Sequence, residues 1–191
     1  GRRIPGRAKK SAVKEPSFEL FFVDETTISL RFPLRACWMQ RGQQKRIPAF
    51  SVANRSYHLI GAYNWRTDQV FSQAVECKNS QTFIQFLEYL LVECCPTQKI
   101  VLVMDNASYH RSKTVRAALS LFEPRVRVFW LPKYCPQLNL IERYWRHLKD
   151  LACANKLDLS IDSLADRVRI ILDCQNSSDH VLKMSLLKNF V

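Results

Sequence analysis

The sequence predicts an α/β fold in which a mixed sheet is flanked by helices. In the first half, short apolar runs follow one another as strands do, separated by polar turn residues. In the second half, such runs alternate with stretches of helical periodicity, and this order is typical of a sheet that mixes both kinds of pairing. Residues 100–104 (IVLVM) are wholly apolar, which indicates a strand buried on both faces of the sheet.

Six strand-like runs are spread along the chain. They cover residues 18–23, 47–52, 58–63, 70–75, 100–104 and 126–131. The runs at 47–75 predict an antiparallel meander. The first run is followed by Asp24 and the fifth by Asp105. Because ligand sites in such sheets lie beyond the carboxyl ends of strands, we expect these two carboxylates at one edge.

Helical periodicity fills the intervals between the later strands. The predicted helices cover residues 80–94, 112–122, 139–152 and 161–174, with a short one near 179–190. Ser80, Ser112 and Asn139 each precede an apolar stripe, so we expect them to cap the first three helices. Pro96 should end the first helix.

Composition limits the class of protein. With 191 residues and 47% in the hydrophobic set, the chain can bury one core, which predicts a single domain over residues 17–191. No apolar run approaches the roughly 18 residues of a membrane span, so we expect no membrane association. Seven cysteines without a C-x-x-C pair indicate reduced intracellular thiols rather than disulfides or a zinc site.

The formal net charge of +12 points to a polyanionic partner such as nucleic acid. Six basic residues precede the first acidic residue, Glu15, and residues 1–16 are predicted to be a basic arm or linker. Without those six, 23 basic residues still face 17 acidic ones.

Carboxylates at strand ends suit a hard divalent cation. Mg²⁺ takes oxygen ligands and keeps waters and substrate phosphates. Two such ions about 3.5–4 Å apart can hold both the attacking and the leaving oxygen of a phosphodiester. Asp24 and Asp105 could supply two carboxylates for such a site, and a third must come from another element.

The third acid is indicated by two longer motifs, VLVMDNASYHRSKTV (101–115) and FWLPKYCPQLNLIERYWRHLK (129–149). They resemble the DDE catalytic domain of Tc/mariner-superfamily transposases, in the branch of bacterial insertion sequences. The D-N-x-x-x-H pattern begins at Asp105, and L-P-x-Y-x-P-x-L-N-x-I-E-x-x-W places its acid at Glu142, with 36 residues between them. Asp24 begins D-E-x-x-x-x-L, and W-x-x-R-G-Q begins at Trp38. The resemblance spans roughly residues 18–155 and departs from the family at Leu140, where proline is usual.

The resemblance implies a ribonuclease H-like fold with a five-stranded mixed sheet flanked by helices. It implies that Asp24, Asp105 and Glu142 are the catalytic residues and bind two Mg²⁺ ions, for which Mn²⁺ can substitute. The implied activity is metal-dependent DNA cleavage at transposon ends and transfer of the 3′-hydroxyl into target DNA. It further implies a homodimer on DNA at the bacterial nucleoid, and DNA-reading domains ahead of the catalytic core.

Each acid also has a structural interpretation. An aspartate after a strand is often a turn residue. Glu142 could complete a capping box with Asn139 or pair with Arg146 one turn later. Glu25 competes with Asp24, because neighbours in a strand point to opposite faces and only one can face the site. The resemblance favours Asp24.

Basic side chains near these acids are candidates for DNA contacts. They are Arg41, Lys45, Arg46, His110, Arg111, Lys133, Arg146 and Lys149. Two other functions stay open from the sequence. The chain could be a catalytically silent DNA-binding module derived from a transposase, or a different nuclease of the same fold.

Overall fold

The computed structural model describes residues 18–30, 35–36, 38–43, 46, 55–123, 125–133, 135–156, 158 and 160–177. In these residues five strands form one sheet in the order β3-β2-β1-β4-β5. The strands are β1 Phe18–Ser29, β2 Ser56–Asn64, β3 Val70–Val75, β4 Lys99–Met104 and β5 Val126–Trp130. The helices described are α1 Ser80–Glu88, which continues as a π-helical turn Tyr89–Cys94, α2 Lys113–Ser120, α3 Ile141–Cys153 and α4 Ile161–Asn176. The predicted five-stranded mixed sheet is confirmed.

Strand β1 lies at the centre of the sheet and has both kinds of neighbour. It runs antiparallel to β2, which is antiparallel to β3, so the first three strands form a meander. On its other side β1 is parallel to β4, and β4 is parallel to β5. Parallel neighbours need crossover connections, and α1 and α2 supply them.

Strand β1 is longer than its sequence predicted. We expected it to end at Asp24, but it continues to Ser29. The β4 pairing stops at Phe22 opposite Val103, whereas the β2 pairing continues to Ser29 opposite Ser56. The polar residues after Val23 therefore stay extended because β2 alone completes their hydrogen bonding.

Helices cover both faces of the sheet, and the side chains of β1 alternate between them. Leu20 and Phe22 face the core that includes residues of α3 and α4. Phe21 and Val23 face the second core, which contains residues of α1 and Val115 of α2. The 12-residue strand thus supplies apolar side chains to both layers.

Two predicted helix caps are wrong. Asn79, not Ser80, caps α1, because its side chain and that of Thr82 form a reciprocal capping box. Ser112 caps α2 as predicted. The side chain of Asn139 does not cap α3.

Three predicted segments lie outside the described residues. They are the arm at 1–16, the strand at 47–52 and the helix near 179–190.

Two further expectations concern membrane association and thiol state. Within the residues described, no helix is long and apolar enough to cross a membrane. The six cysteines in the same part of the chain are all free thiols.

Candidate active site

The pairing of β1 with β4 brings the two aspartates side by side. Phe22 lies opposite Val103 in this parallel pair, and Asp24 and Asp105 each follow two residues later. Because side chains alternate, each aspartate projects from the same face as the residue two places before it. That face is the one covered by α3 and α4.

Helix α3 brings the third acid to the same place. Ile141, Trp145 and Leu148 pack into the core on the sheet, and Glu142 lies in the first turn of the helix. Asp24, Asp105 and Glu142 line one pocket of about 400 Å³. The three acids that the sequence singled out therefore converge, although they come from positions 24, 105 and 142 of the chain.

The structural interpretations of Glu142 do not hold. Helix α3 begins without a side-chain hydrogen bond at its cap, so Glu142 does not take part in a capping box. Its neighbour one turn later, Arg146, forms no ion pair with it; the ion pairs of the described residues lie elsewhere. Glu142 has no structural partner of this kind in that part of the chain.

Asn139 links the start of α3 to β1. Its side-chain amide nitrogen donates to the carbonyl oxygen of Val23 at 3.0 Å, directly before Asp24. The residue is 3% exposed and lines the pocket, and its buried Oδ1 has no hydrogen-bond partner among the described residues. The amide nitrogen is thus bound to β1, while the amide oxygen accepts no hydrogen bond from the first turn of α3. The predicted cap is wrong because α3 has Leu140, not Asn139, at its cap position.

The surroundings of Asp24 disfavour the ionised form of its carboxyl group. Burial, followed by the negative charges of Glu25 and Glu142, raises its pKa from 3.8 to about 7. A carboxyl group in this condition is half protonated near neutral pH, and a positive charge placed in the pocket would return it to the ionised form.

The surroundings of Asp105 lower its pKa, whereas those of Asp24 raise the pKa of that residue. Its Oδ1 accepts hydrogen bonds from His110 Nδ1 at 2.8 Å and from the amide of Ala107 at 3.0 Å. The hydrogen bond from His110 is the main cause that lowers the pKa of Asp105. The other ring nitrogen of His110 lies 2.7 Å from Glu25 Oε1.

Glu25 points away from the pocket that the three acids share. As expected from strand alternation, it reaches the opposite side of the sheet from Asp24, where it meets His110 and the α1 residue Phe83 packs on that ring at 4.3 Å. Only Asp24 of the two neighbours lines the pocket with Asp105 and Glu142.

The donor set fits a divalent metal ion. Three carboxylate residues and Asn139 line the pocket, and oxygen ligands are what Mg²⁺ and Mn²⁺ accept. The pKa of Asp24 is raised first by burial and then by the charges of Glu25 and Glu142, and a cation in the pocket would lower it again. Among the described residues, no three acidic, histidine or cysteine side chains are already gathered as a metal-ligating group. The three acids therefore line one pocket, but in the described residues they are not close enough together to form a ready metal-binding cluster.

The basic residues divide into three groups. Arg41 and Arg46 are exposed, and Lys45 lies outside the described residues. Lys133 lines the pocket of the three acids. Arg146 and Lys149 line a neighbouring groove of about 460 Å³ that shares Asp24 and Glu142 with the first pocket. The sequence did not single out Lys78, which lines the same groove.

Two of the remaining candidates have other contacts. Arg111 is exposed, with its guanidinium 5.8 Å from the ring centre of Trp130. His110 is fully buried, and both of its ring nitrogens are hydrogen-bonded. The expectation that His110 contacts DNA is therefore wrong for this fold. Its place in the D-N-x-x-x-H pattern gave no sign of whether it pointed outward or inward.

Most of the chain is similar in sequence to known proteins. The family model of the DDE superfamily endonuclease matches residues 19–165. A curated relative from Shigella sonnei, the insertion element IS630 uncharacterized 39 kDa protein, is 32% identical over 154 residues. That match covers 81% of this chain but 44% of the relative, so the chain spans less than half of the relative's length.

Solved structures share the fold at low sequence identity. The Mos1 strand transfer complex superposes with a TM-score of 0.65 at 17% identity, covering 91% of this chain and 57% of that one. The simian T-cell lymphotropic virus intasome gives a TM-score of 0.58 at 18% identity, covering 86% and 51%. These likenesses confirm the ribonuclease H-like fold. The match of the family model over residues 19–165 shows that the chain belongs to the DDE superfamily endonuclease family, with a DDE domain of the Tc/mariner and IS630 type.

Proposed function

We propose that this domain is the catalytic domain of a transposase that cuts DNA at transposon ends and transfers the resulting 3′-hydroxyl into target DNA. The observation that carries the proposal is the convergence of Asp24, Asp105 and Glu142 on one pocket. Membership of the DDE superfamily supports it, and so do the structures that share the fold, among them Mos1 complexes with Mn and with Mg.

In this proposal Asp24, Asp105 and Glu142 hold two Mg²⁺ or Mn²⁺ ions. When bound, such a pair activates the attacking oxygen and stabilises the leaving oxygen of a phosphodiester. Asp105 contributes a carboxylate that is already ionised, since its pKa is lowered by His110. Asp24 contributes one that ionises fully only when positive charge enters the pocket, since its own pKa is about 7.

Four basic residues that line the pocket and the neighbouring groove would bind the phosphates of DNA. Lys133 on the first pocket and Lys78, Arg146 and Lys149 on the second are placed to neutralise phosphates on either side of Asp24 and Glu142. Across the described residues, none of these four cations forms an ion pair within the chain. Phosphates are strong partners for cations in this state, because no internal salt bridge has to be broken. A homodimer on the two transposon ends belongs to the same proposal.

Incubation of the protein with supercoiled plasmid and Mg²⁺ or Mn²⁺ tests the cleavage step. We expect nicking that depends on the metal ion and that Asp105→Asn or Glu142→Gln abolishes. Asp173→Asn is the matched control, because this exposed aspartate of α4 belongs to neither pocket and should leave nicking unchanged.

Two further substrates separate the rival functions. An RNA–DNA hybrid and a four-way DNA junction should be cut no better than plasmid. Preferential cutting of either would favour another nuclease of this fold. DNA binding without nicking in either metal ion would favour the silent binding module. Strand transfer is then tested by joining of a labelled duplex with a free 3′-hydroxyl end to plasmid.

A further inference from the structure

Behind the pocket, His110 is enclosed on every side. It is 0% exposed and lies between two aromatic rings, with ring centres 4.3 Å away for Phe83 and 4.4 Å for Tyr109. A polar ring this deeply buried costs free energy unless hydrogen bonds satisfy both of its nitrogens. The enclosure therefore fixes the ring in one orientation, and its two nitrogens point in fixed directions.

Both nitrogens of His110 meet carboxylates. Nδ1 lies 2.8 Å from Asp105 Oδ1 and Nε2 lies 2.7 Å from Glu25 Oε1. Ionised carboxylates only accept hydrogen bonds, so the ring donates from both nitrogens and carries a positive charge between the two acids. The side chain of Glu25 is 7% exposed and cannot reach solvent freely, so it fixes the far end of the ring.

Among the described residues, both hydrogen bonds of the Asp105 carboxylate end on the same oxygen. Oδ1 accepts from His110 and also from the amide of Ala107 at 3.0 Å. In the part of the chain that the structure describes, Oδ2 has no such partner, and Asp105 lines the pocket with Asp24 and Glu142. Without this anchorage, repulsion from the two other carboxylates would favour rotation of Asp105 out of the pocket.

We propose that Glu25 and His110 are positioning residues that fix the carboxylate of Asp105 by one oxygen, so that the other oxygen is presented to a divalent metal ion. The inference rests on the proposed metal site. It assigns to the histidine of the D-N-x-x-x-H motif a role inside the fold, in place of contact with DNA. Outer partners of metal-binding side chains typically contribute about 10- to 100-fold to metal affinity.

Two substitutions of His110 separate positioning from packing. In His110→Asn the amide nitrogen takes the place of Nδ1 and can still donate to Asp105. In His110→Gln it takes the place of Nε2, so the Glu25 bond is kept and the Asp105 bond is lost. We expect Mn²⁺ affinity, measured by calorimetric titration of the folded protein, to stay close to wild type in His110→Asn and to fall about 10- to 100-fold in His110→Gln.

Phe83→Leu is the packing control. It loosens the enclosure of His110 but leaves both hydrogen bonds, so melting temperature should fall while Mn²⁺ affinity stays unchanged. Equal Mn²⁺ affinity in the asparagine, glutamine and wild-type proteins would overturn the positioning role. If the wild type binds no Mn²⁺, or Asp105→Asn binds it normally, the proposed metal site itself is wrong.

Nuclear magnetic resonance of the wild type tests the proposal without any variant. The ring Nδ1–H proton of His110 should resonate far downfield and exchange slowly, because it is buried and hydrogen-bonded. Binding of Mg²⁺ should shift this proton, since the accepting carboxylate becomes a metal ligand. A resonance that does not move at saturating Mg²⁺ would contradict the proposal, even if both His110 variants fail to fold.

Discussion

The indole ring of Trp145 lies directly on the backbone of Gly61. A Cβ added at position 61 would lie 2.6 Å from one ring carbon and 2.7 Å from another. Gly61 is the β2 residue opposite Asp24, and Trp145 follows Glu142 by three residues on α3. The absence of one side chain on β2 therefore sets how closely the helix that carries Glu142 approaches the strand that carries Asp24.

Gly61→Ala should push α3 away from the sheet. Overpacking of this kind costs about 1–3 kcal/mol, because the indole is buried and cannot move into solvent. We expect the melting temperature to fall and metal-dependent nicking to fall more than the loss of folded protein explains. Trp145→Phe in the same chain removes the clashing ring and should restore part of both. A Gly61→Ala protein with wild-type nicking would show that this contact does not place Glu142.

Asp24→Asn should stabilise the metal-free protein above neutral pH. The pKa of Asp24 is raised to about 7, so the ionised form is penalised in the folded chain. The penalty is absent below pH 4, grows between about 4 and 7, and is fully present above 7. At pH 8 we expect a gain of about 1 kcal/mol or more, or about 2–4 °C per kcal/mol in melting temperature. Equal melting temperatures of variant and wild type at pH 8 would contradict this.

Asp105→Asn should behave in the opposite way. It replaces the ionised acceptor of the buried His110 with a neutral amide oxygen, so a hydrogen bond to a charged group, worth about 1.5–3 kcal/mol, is weakened toward the neutral value of about 0.5–1.5 kcal/mol. The melting temperature should therefore fall without metal, and the stabilisation by Mn²⁺ should disappear. Thermal unfolding of both variants with and without Mn²⁺ measures the contrast. A rise in stability for Asp105→Asn would mean that repulsion outweighs its bond to His110.

The metal-free protein should lose stability as pH rises from 6.5 to 9. Burial alone would lower the pKa of His110, but the hydrogen bonds with Asp105 and Glu25 raise it to about 9. Its contribution is complete below pH 6.5 and is lost as pH rises to 9, because only the charged ring can donate to both carboxylates. His110→Asn should flatten this part of the profile, which denaturant unfolding at several pH values measures. An unchanged slope would show that another group titrates.

DNA binding should depend steeply on salt and little on sequence. The charge of +12 and the cations on the two grooves predict binding through phosphates. Each of Arg146→Ala and Lys149→Ala should reduce the slope of log affinity against log salt by about 1. Arg169→Ala is the control, because that residue is paired with Asp166 on α4. Tight, sequence-selective and salt-insensitive binding would contradict the prediction.

The basic segment 1–16 should add affinity for DNA and little stability. It contains six of the 29 basic residues, and all six fall within residues 1–14. Deletion of residues 1–14 should therefore weaken DNA binding in low salt while the melting temperature stays nearly unchanged. A large fall in melting temperature would show that the segment belongs to the folded domain.

The sequence by itself predicted the order of the described strands and helices. Through the resemblance of its motifs, it also singled out the three acids that line one pocket. Apolar runs such as residues 100–104 and amphipathic stretches such as 161–174 are local patterns, and their periods are those of strands and helices. The motif around Glu142 is also local, since its residues lie within one stretch of chain. These features could be predicted because each depends on neighbours in the sequence.

Only the tertiary structure decided what the side chains between these elements do. Asn139 has the local features of a helix cap, but its amide nitrogen donates to a carbonyl 116 positions earlier in the chain and its amide oxygen accepts no bond from α3. His110 has the features of an exposed basic residue, but Glu25, 85 positions earlier, and Asp105 close it into the core. Local sequence does not contain the carbonyl of Val23 or the carboxylate of Glu25, because contacts between such distant positions depend on register and packing that form when the whole chain folds.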